Sequence, residues 1–274
     1  MTDRQPSFTT SLISGGIAGT SVDVALFPLD TIKTRMQSSQ GFIKAGGFRG
    51  IYNGLAVAAA GSAPGAALFF STYEAMKGEL VERLGEERAP LAHMGAAATG
   101  ETVACLVRVP TENVKQKVQA GLFPTARAAG SSILAAQGPM GFYTGYGTTV
   151  AREIPFAFIQ FPIYEAMKKH WAAQRAEPLL PVQGALCGSI SGAFAAAVTT
   201  PLDVIKTRLM LGDDGAGGKY NGLVDTGKRI LNEEGAAKLF SGIQPRVMWI
   251  GIGGFVFFGA YESCKDYLMT REEQ

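Results

Sequence analysis

SVDVALFPLDTIKTRMQ, from Ser21 to Gln37, sets one carboxylate, Asp23, inside an apolar run, ends that run with Pro28 and follows it with Asp30, Lys33 and Arg35. The pattern recurs. PLDTIKTR at Pro28 to Arg35 is matched by PTENVKQK at Pro110 to Lys117 and by PLDVIKTR at Pro201 to Arg208. Proline, acid and base return at one spacing, and the copies start at 28, 110 and 201, 82 and 91 residues apart.

A second landmark follows each copy: GFRGIYNG at Gly47 to Gly54, GPMGFYTG at Gly138 to Gly145 and GAAKLFSG at Gly235 to Gly242. Each has two glycines seven apart and an aromatic residue two before the second. A third landmark, Tyr-Glu-x-x-Lys, begins 19 residues after the second glycine every time: Tyr73, Glu74 and Lys77; Tyr164, Glu165 and Lys168; Tyr261, Glu262 and Lys265. Such self-similarity marks units that cannot bury their inner faces alone. The chain therefore divides into repeats at 7–85, 86–175 and 180–270, each a pair of long helices joined by a loop with a short surface helix.

Composition points to a membrane. The 274 residues are 47% hydrophobic and 18% charged, against roughly 25% charged in soluble domains. The 35 glycines suit helices that approach closely in lipid, as do Gly15 and Gly19, Ala96 and Gly100, Gly188 and Gly192. Hydropathy gives six candidate spans, 8–28, 54–72, 91–110, 145–163, 181–200 and 242–260, each near the roughly 20 residues that cross a bilayer. Several hold charges, which suits helices lining a watery cavity. The expected fold class is an all-α membrane protein of six transmembrane helices in three tandem helix-pair repeats, with pseudo-threefold symmetry and three short surface helices.

Other classes fit poorly. A net charge of +2 without a Lys/Arg run gives nucleic acid no footprint. Cys105, Cys187 and Cys264 lack metal or redox spacing and read as buried small hydrophobes. His93 and His170 sit near span ends and read as surface residues, so an enzyme's constellation is missing. No metal or cofactor is expected. The N-terminus, MTDRQPSFTT, is too short and mixed for a cleavable presequence, which leaves targeting to the body of the chain.

Around a threefold bundle, each acid of the proline motif reaches the base of the next repeat. The expected pairs are Asp30 with Lys115, Glu112 with Lys206 and Asp203 with Lys33. The tyrosine motifs would form a second ring at the opposite face: Glu74 with Lys168, Glu165 with Lys265, Glu262 with Lys77. Ion pairs gain little net energy once desolvation is counted, so two such rings read as gates that modest binding energy can open.

These motifs strongly resemble the mitochondrial carrier family of solute transporters. The resemblance covers about residues 7–268. It implies the mitochondrial inner membrane as location, a monomer with lipid around it, both termini on the cytosolic side and alternating access through one central site. It makes the proline-motif ring a matrix gate and the tyrosine-motif ring a cytosolic gate. It also implies glutamine braces under the matrix gate, at Gln37 and Gln119; the third such position is Met210, which cannot brace by hydrogen bonding.

Charges away from the gates bear on the solute, because each costs roughly 2.5–3.5 kcal/mol at a helix centre. Asp23 lies seven residues before Asp30, on the same helical face, and breaks the repeat: its counterparts are Cys105 and Ala196. Glu101 and Arg108 project to the inward face of their helix, either as an internal pair or as ligand contacts. Arg152 and Glu153 match an amino-acid headgroup, guanidinium to carboxylate and carboxylate to ammonium. The family resemblance assigns that pair to amino-acid-like substrates; a straight-helix projection from Glu165 does not turn Arg152 inward. The equivalent positions are Gly61 and Trp249, and Arg246 lies on the helix of Trp249.

A zwitterion leaves Asp23 unused, an extra cation engages it, and a flat ring suits Trp249, otherwise a packing residue. Headgroup, added positive charge and ring together describe S-adenosylmethionine, and the resemblance implies exchange for S-adenosylhomocysteine. A basic or neutral amino acid is the rival substrate. A nucleotide fits less well, since inward acids repel polyphosphate.

Overall fold

The computed structural model describes residues 8–85, 88–174, 181–212 and 220–256. The first repeat holds α1 (Phe8–Gln37), α2 (Gly41–Lys44) and α3 (Leu55–Leu84). The second holds α4 (Ala89–Gln119), α5 (Ala126–Gln137) and α6 (Tyr146–Gln174). The third holds α7 (Pro181–Leu211), α8 (Gly222–Arg229) and α9, described over 243–256. Among the described residues every regular element is helical, and the three repeats share one order: long helix, short helix, long helix.

The first long helix of each repeat runs through its proline. Pro28, Pro110 and Pro201 lie inside α1, α4 and α7, whereas the sequence reading ended the spans there. Proline removes one backbone hydrogen bond and crowds the preceding turn, which bends a helix that packing holds together on both sides. The helices continue to Gln37, Gln119 and Leu211, so the motif's acid and bases ride on a helical extension. Arg35, Lys117 and Arg208 fall in the last turns, where cations offset the partial negative charge of the helix end.

The second glycine of the middle landmark leads into the second long helix of its repeat, α3, α6 or α9, with positive φ: 95° at Gly54, 85° at Gly145 and 75° at Gly242. Each also touches the next repeat. A Cβ would sit 3.3 Å from Lys115 Cγ at Gly54, 3.0 Å from Met210 Cγ at Gly145 and 3.2 Å from the Lys33 carbonyl oxygen at Gly242. First repeat meets second, second meets third, and third meets first. Small residues act more selectively within the helices. A Cβ on Gly100 would lie 3.0 Å from the Phe69 carbonyl oxygen and one on Gly192 would lie 2.9 Å from Ile250 Cγ2, whereas Gly19 has open space.

Two compact units emerge. One comprises Met1–Asp30, Ala157–Val198 and Ile243–Gln274, and the other Thr31–Phe156 and Thr199–Gly242. The second has an inverted polarity. Arg35, Gln37, Asn113, Gln119, Asp203, Lys206 and Arg208 are buried, while Phe70 is 62% exposed and Leu106 47%. In the first unit Phe158 is 60% exposed and Phe194 55%. Apolar outside and polar inside is the reverse of a soluble domain. Among the described residues two helices, Leu55–Leu84 and Val182–Leu211, are long and apolar enough by themselves to cross a membrane; in α4 and α6 the charges Glu101, Arg108, Arg152 and Glu153 dilute the apolar run.

Candidate functional site

The extensions of α1, α4 and α7 carry a polar network, all of it in the second unit. Lys33 Nζ lies 2.7 Å from Asp203 Oδ2, and Lys206 pairs with Glu112. These are two of the inter-repeat pairs expected from the motif. Asp30, of the third, belongs to the first unit and Lys115 to the second. Gln37 donates from Nε2 to Asp203 Oδ2 at 2.9 Å and accepts from Thr207 Oγ1 at 2.6 Å. Gln119 donates to Thr31 Oγ1 and accepts from Thr34 Oγ1, each at 3.2 Å. Met210 instead joins Cys105 and Val109 in an apolar cluster, with Tyr146 and Val150 against it.

The last base of each proline motif forms a further cycle. Arg35 Nε donates to the Gln119 carbonyl at 2.8 Å, Lys117 Nζ to the Leu211 carbonyl at 2.9 Å, and Arg208 Nε to the Gln37 carbonyl. Each cation thus caps the end of the next repeat's first helix, whose final carbonyls have no intrahelical partner. Sequence reasoning gave these bases no role. Their signal was available in the equal offset of Arg35, Lys117 and Arg208 from the prolines, but the acceptors are backbone atoms, which a sequence pattern does not display.

Local compensation differs between copies. Arg208 also holds Glu234 through two contacts of 2.7 and 2.8 Å. Arg35 finds carbonyls in place of an acid, donating to Gly47 at 2.6 Å and Arg49 at 2.7 Å. Lys117, seven residues beyond the apolar span that ends at Pro110, has its ammonium pushed down to about 8 by burial.

In α4 lie Glu101 and Arg108, which the sequence projects inward, and in α6 lie Arg152 and Glu153, the pair that the resemblance assigns to the solute. Arg108 pairs with Glu101 on its own helix, and its Nη1 stands 3.7 Å from Glu153 Oε1. Arg152 pairs with the adjacent Glu153, and its Nε is 3.7 Å from Asp203 Oδ1. Arg152 is 14% and Glu153 19% exposed at the side chain, so α6 turns both away from bulk water, which the straight projection missed for Arg152. Gly61 is buried, and a Cβ there would meet Thr111 Oγ1 at 2.6 Å. Close helix contact accounts for that glycine.

The first unit holds Asp23, Arg246 and Trp249. Arg246 is buried at 3% exposure, and Asp23 and Trp249 are half-buried. Here α9 comes close to α1: a Cβ on Gly253 would lie 3.3 Å from Leu26 Cδ1 and 3.9 Å from Val22 Cγ1, on either side of Asp23 in the chain.

In the tyrosine motifs the acids pair along their own helices. Lys77 Nζ is 3.4 Å from Glu74 Oε2, and Lys168 Nζ is 2.9 Å from Glu165 Oε1. Lys168 also lies 4.6 Å from the Tyr164 ring centre. Tyr73 Oη is 2.8 Å from His93 Nδ1, so this histidine, read from the sequence as a surface residue, engages a motif residue. Tyr261, Glu262 and Lys265 lie outside the described residues. Among the described residues no three His, Cys, Asp or Glu side chains group as a metal site.

The family model described as Mitochondrial carrier protein matches residues 4–84, 86–175 and 177–272. The mouse Mitochondrial S-adenosylmethionine carrier protein is 50% identical over 264 residues, 96% of each chain. A protein of that name in Danio rerio is 49% identical over 267 residues, 97% of this chain and 100% of its own. The Putative mitochondrial carrier protein PET8 of Saccharomyces cerevisiae is 46% identical over 275 residues, covering 96% of this chain and 95% of its own. With three matches that coincide with the three structural repeats, the chain belongs to the mitochondrial carrier family.

Proposed function

We propose that this chain is a six-span transporter of the mitochondrial inner membrane that carries S-adenosylmethionine inward in exchange for S-adenosylhomocysteine. The observation that carries the reading is the half-buried Arg152–Glu153 pair of α6. Two opposite charges side by side among apolar helices present a carboxylate site and an ammonium site at the spacing of an amino-acid headgroup. The sequence adds Asp23 as a negative charge for the sulfonium and Trp249 as an aromatic face for the adenine. Relatives named for S-adenosylmethionine, about half identical along the whole chain, support the same solute.

The inverted burial supports six spans, the long helices with exposed phenylalanines meeting lipid. The Lys33–Asp203 and Glu112–Lys206 pairs belong to the matrix gate, and Glu74 with Lys77 and Glu165 with Lys168 to the cytosolic gate. Solute binding stabilises intermediates between the two arrangements, and with them the passage from one to the other. The carrier acts as a monomer, since all three repeats needed for a closed bundle lie in one chain.

Uptake into liposomes tests the substrate. Carrier reconstituted with internal S-adenosylhomocysteine should accumulate labelled S-adenosylmethionine and leave lysine and arginine outside. Entry of lysine or arginine without S-adenosylmethionine would replace this solute with an ordinary amino acid.

A further inference from the structure

Asp203 is joined from two directions. From α1, Lys33 Nζ and Gln37 Nε2 reach its Oδ2 at 2.7 and 2.9 Å. From α6, Arg152 Nε reaches its Oδ1 at 3.7 Å. Arg152 Nη2 meanwhile holds Glu153, whose Oε1 faces Arg108, which holds Glu101. Six side chains of alternating sign, Glu101, Arg108, Glu153, Arg152, Asp203 and Lys33, therefore run unbroken from the inward face of α4 and α6 to the matrix end of α1 and α7.

We infer that Arg152 is the positioning residue that couples solute binding to the matrix gate, because the solute carboxylate competes with Asp203 for its guanidinium. The inference rests on Arg152 and Glu153 as the headgroup site. A guanidinium is a planar fork, and its side edge is made of Nε–H and one Nη2–H. That edge is the one divided between Asp203 and Glu153. A carboxylate binding bidentately takes both donors of one edge, so its best geometry draws Arg152 off both residents at once.

The resident contacts leave that edge available. Arg152 Nε is buried and donates no hydrogen bond; its approach to Asp203 at 3.7 Å is an ion pair without one. An incoming carboxylate would supply the missing acceptor. Asp203 then keeps Lys33 and Gln37, and its link to Arg152 of α6 is gone. By linkage the coupling is reciprocal: whatever Arg152 adds to the closed gate, the solute must overcome, and an open gate binds solute more tightly.

The test reads the gate with no solute present. Spin labels at Lys44 and Lys228, both exposed, report the separation of α2 and α8 in full-length carrier freed of its three cysteines and reconstituted in liposomes. In Arg152→Lys the charge remains but the fork is lost, and the ammonium cannot serve Glu153 and Asp203 along one edge. The population with the longer, matrix-open distance should rise at least about threefold, the effect of a weak ion pair. In Glu153→Gln the guanidinium turns to Asp203, and that population should fall. Distance distributions equal to wild type in both variants would overturn the coupling. Should Arg152→Lys fail to fold, Glu153→Gln alone decides by the direction of its change. Solute identity does not enter, so a negative uptake assay would remove S-adenosylmethionine while leaving this result standing.

Discussion

Lys33 Nζ sits 2.7 Å from Asp203 Oδ2, tying the end of α1 in the first repeat to the end of α7 in the third. Gln37 donates to the same oxygen. The side chain of Asp203 is 3% and that of Lys33 18% exposed, so Asp203→Asn breaks an ion pair held mostly away from water, a change that costs about 3–5 kcal/mol where such a pair is fully buried. Asp203→Asn should lower the thermal midpoint of the detergent-purified carrier by several degrees and abolish uptake. An unchanged midpoint would remove Asp203 from the closed network.

Met210 occupies the third brace position but lies fully buried against Cys105 and Val109. Met210→Gln would place an amide in that apolar cluster, at about 1–3 kcal/mol. Met210→Leu conserves volume and should cost less than about 1.5 kcal/mol. Thermal melts of the two variants check the order, and a Gln variant as stable as the Leu variant would mean that the amide finds partners there.

Gly145 and Gly147 lie two residues apart in opposite situations. Gly145 has φ 85° and faces Met210 Cγ at 3.0 Å from a built Cβ, whereas Gly147 has open space within α6. Gly145→Ala should destabilise by about 1–2 kcal/mol, and Gly147→Ala should stabilise by roughly 0.5–1 kcal/mol through helix propensity. Melting curves that move both variants the same way would contradict this contrast.

Lys117 gives a pH test. Burial lowers its ammonium to about 8, while the unfolded chain keeps the proton up to the ordinary lysine range. Between those limits the unfolded state binds more protons, so this residue's contribution makes stability rise with pH. The thermal midpoint of Lys117→Met should lack that rise between about pH 8 and 10, and identical slopes in variant and wild type would discount the buried ammonium.

What the sequence disclosed depended on whether chemistry repeats. Pro28, Pro110 and Pro201 with their acids and bases return at fixed offsets, so the helix-pair repeat and the Lys33–Asp203 and Glu112–Lys206 pairs were legible before any coordinates. The course of the helices through those prolines was not, because proline's local preference is overridden by packing on both sides. The caps made by Arg35, Lys117 and Arg208 use backbone carbonyls as acceptors, and the hydrogen bond between Tyr73 and His93 joins a landmark residue to one outside the landmarks. The reach of Arg152 to Asp203 was hidden for another reason. Its position on α6 does not follow from a straight helical projection, and Pro155 lies three residues on.

The central claim is that the Arg152–Glu153 pair holds the headgroup of S-adenosylmethionine. Its most direct test is the initial rate of labelled S-adenosylmethionine uptake by wild type and Glu153→Gln in matched liposomes, with internal S-adenosylhomocysteine present or absent. A lost hydrogen-bonded charge contact of about 1.5–3 kcal/mol predicts that the variant falls at least roughly tenfold at limiting substrate, with rates compared per folded carrier. Wild-type uptake by a folded Glu153→Gln carrier would contradict it.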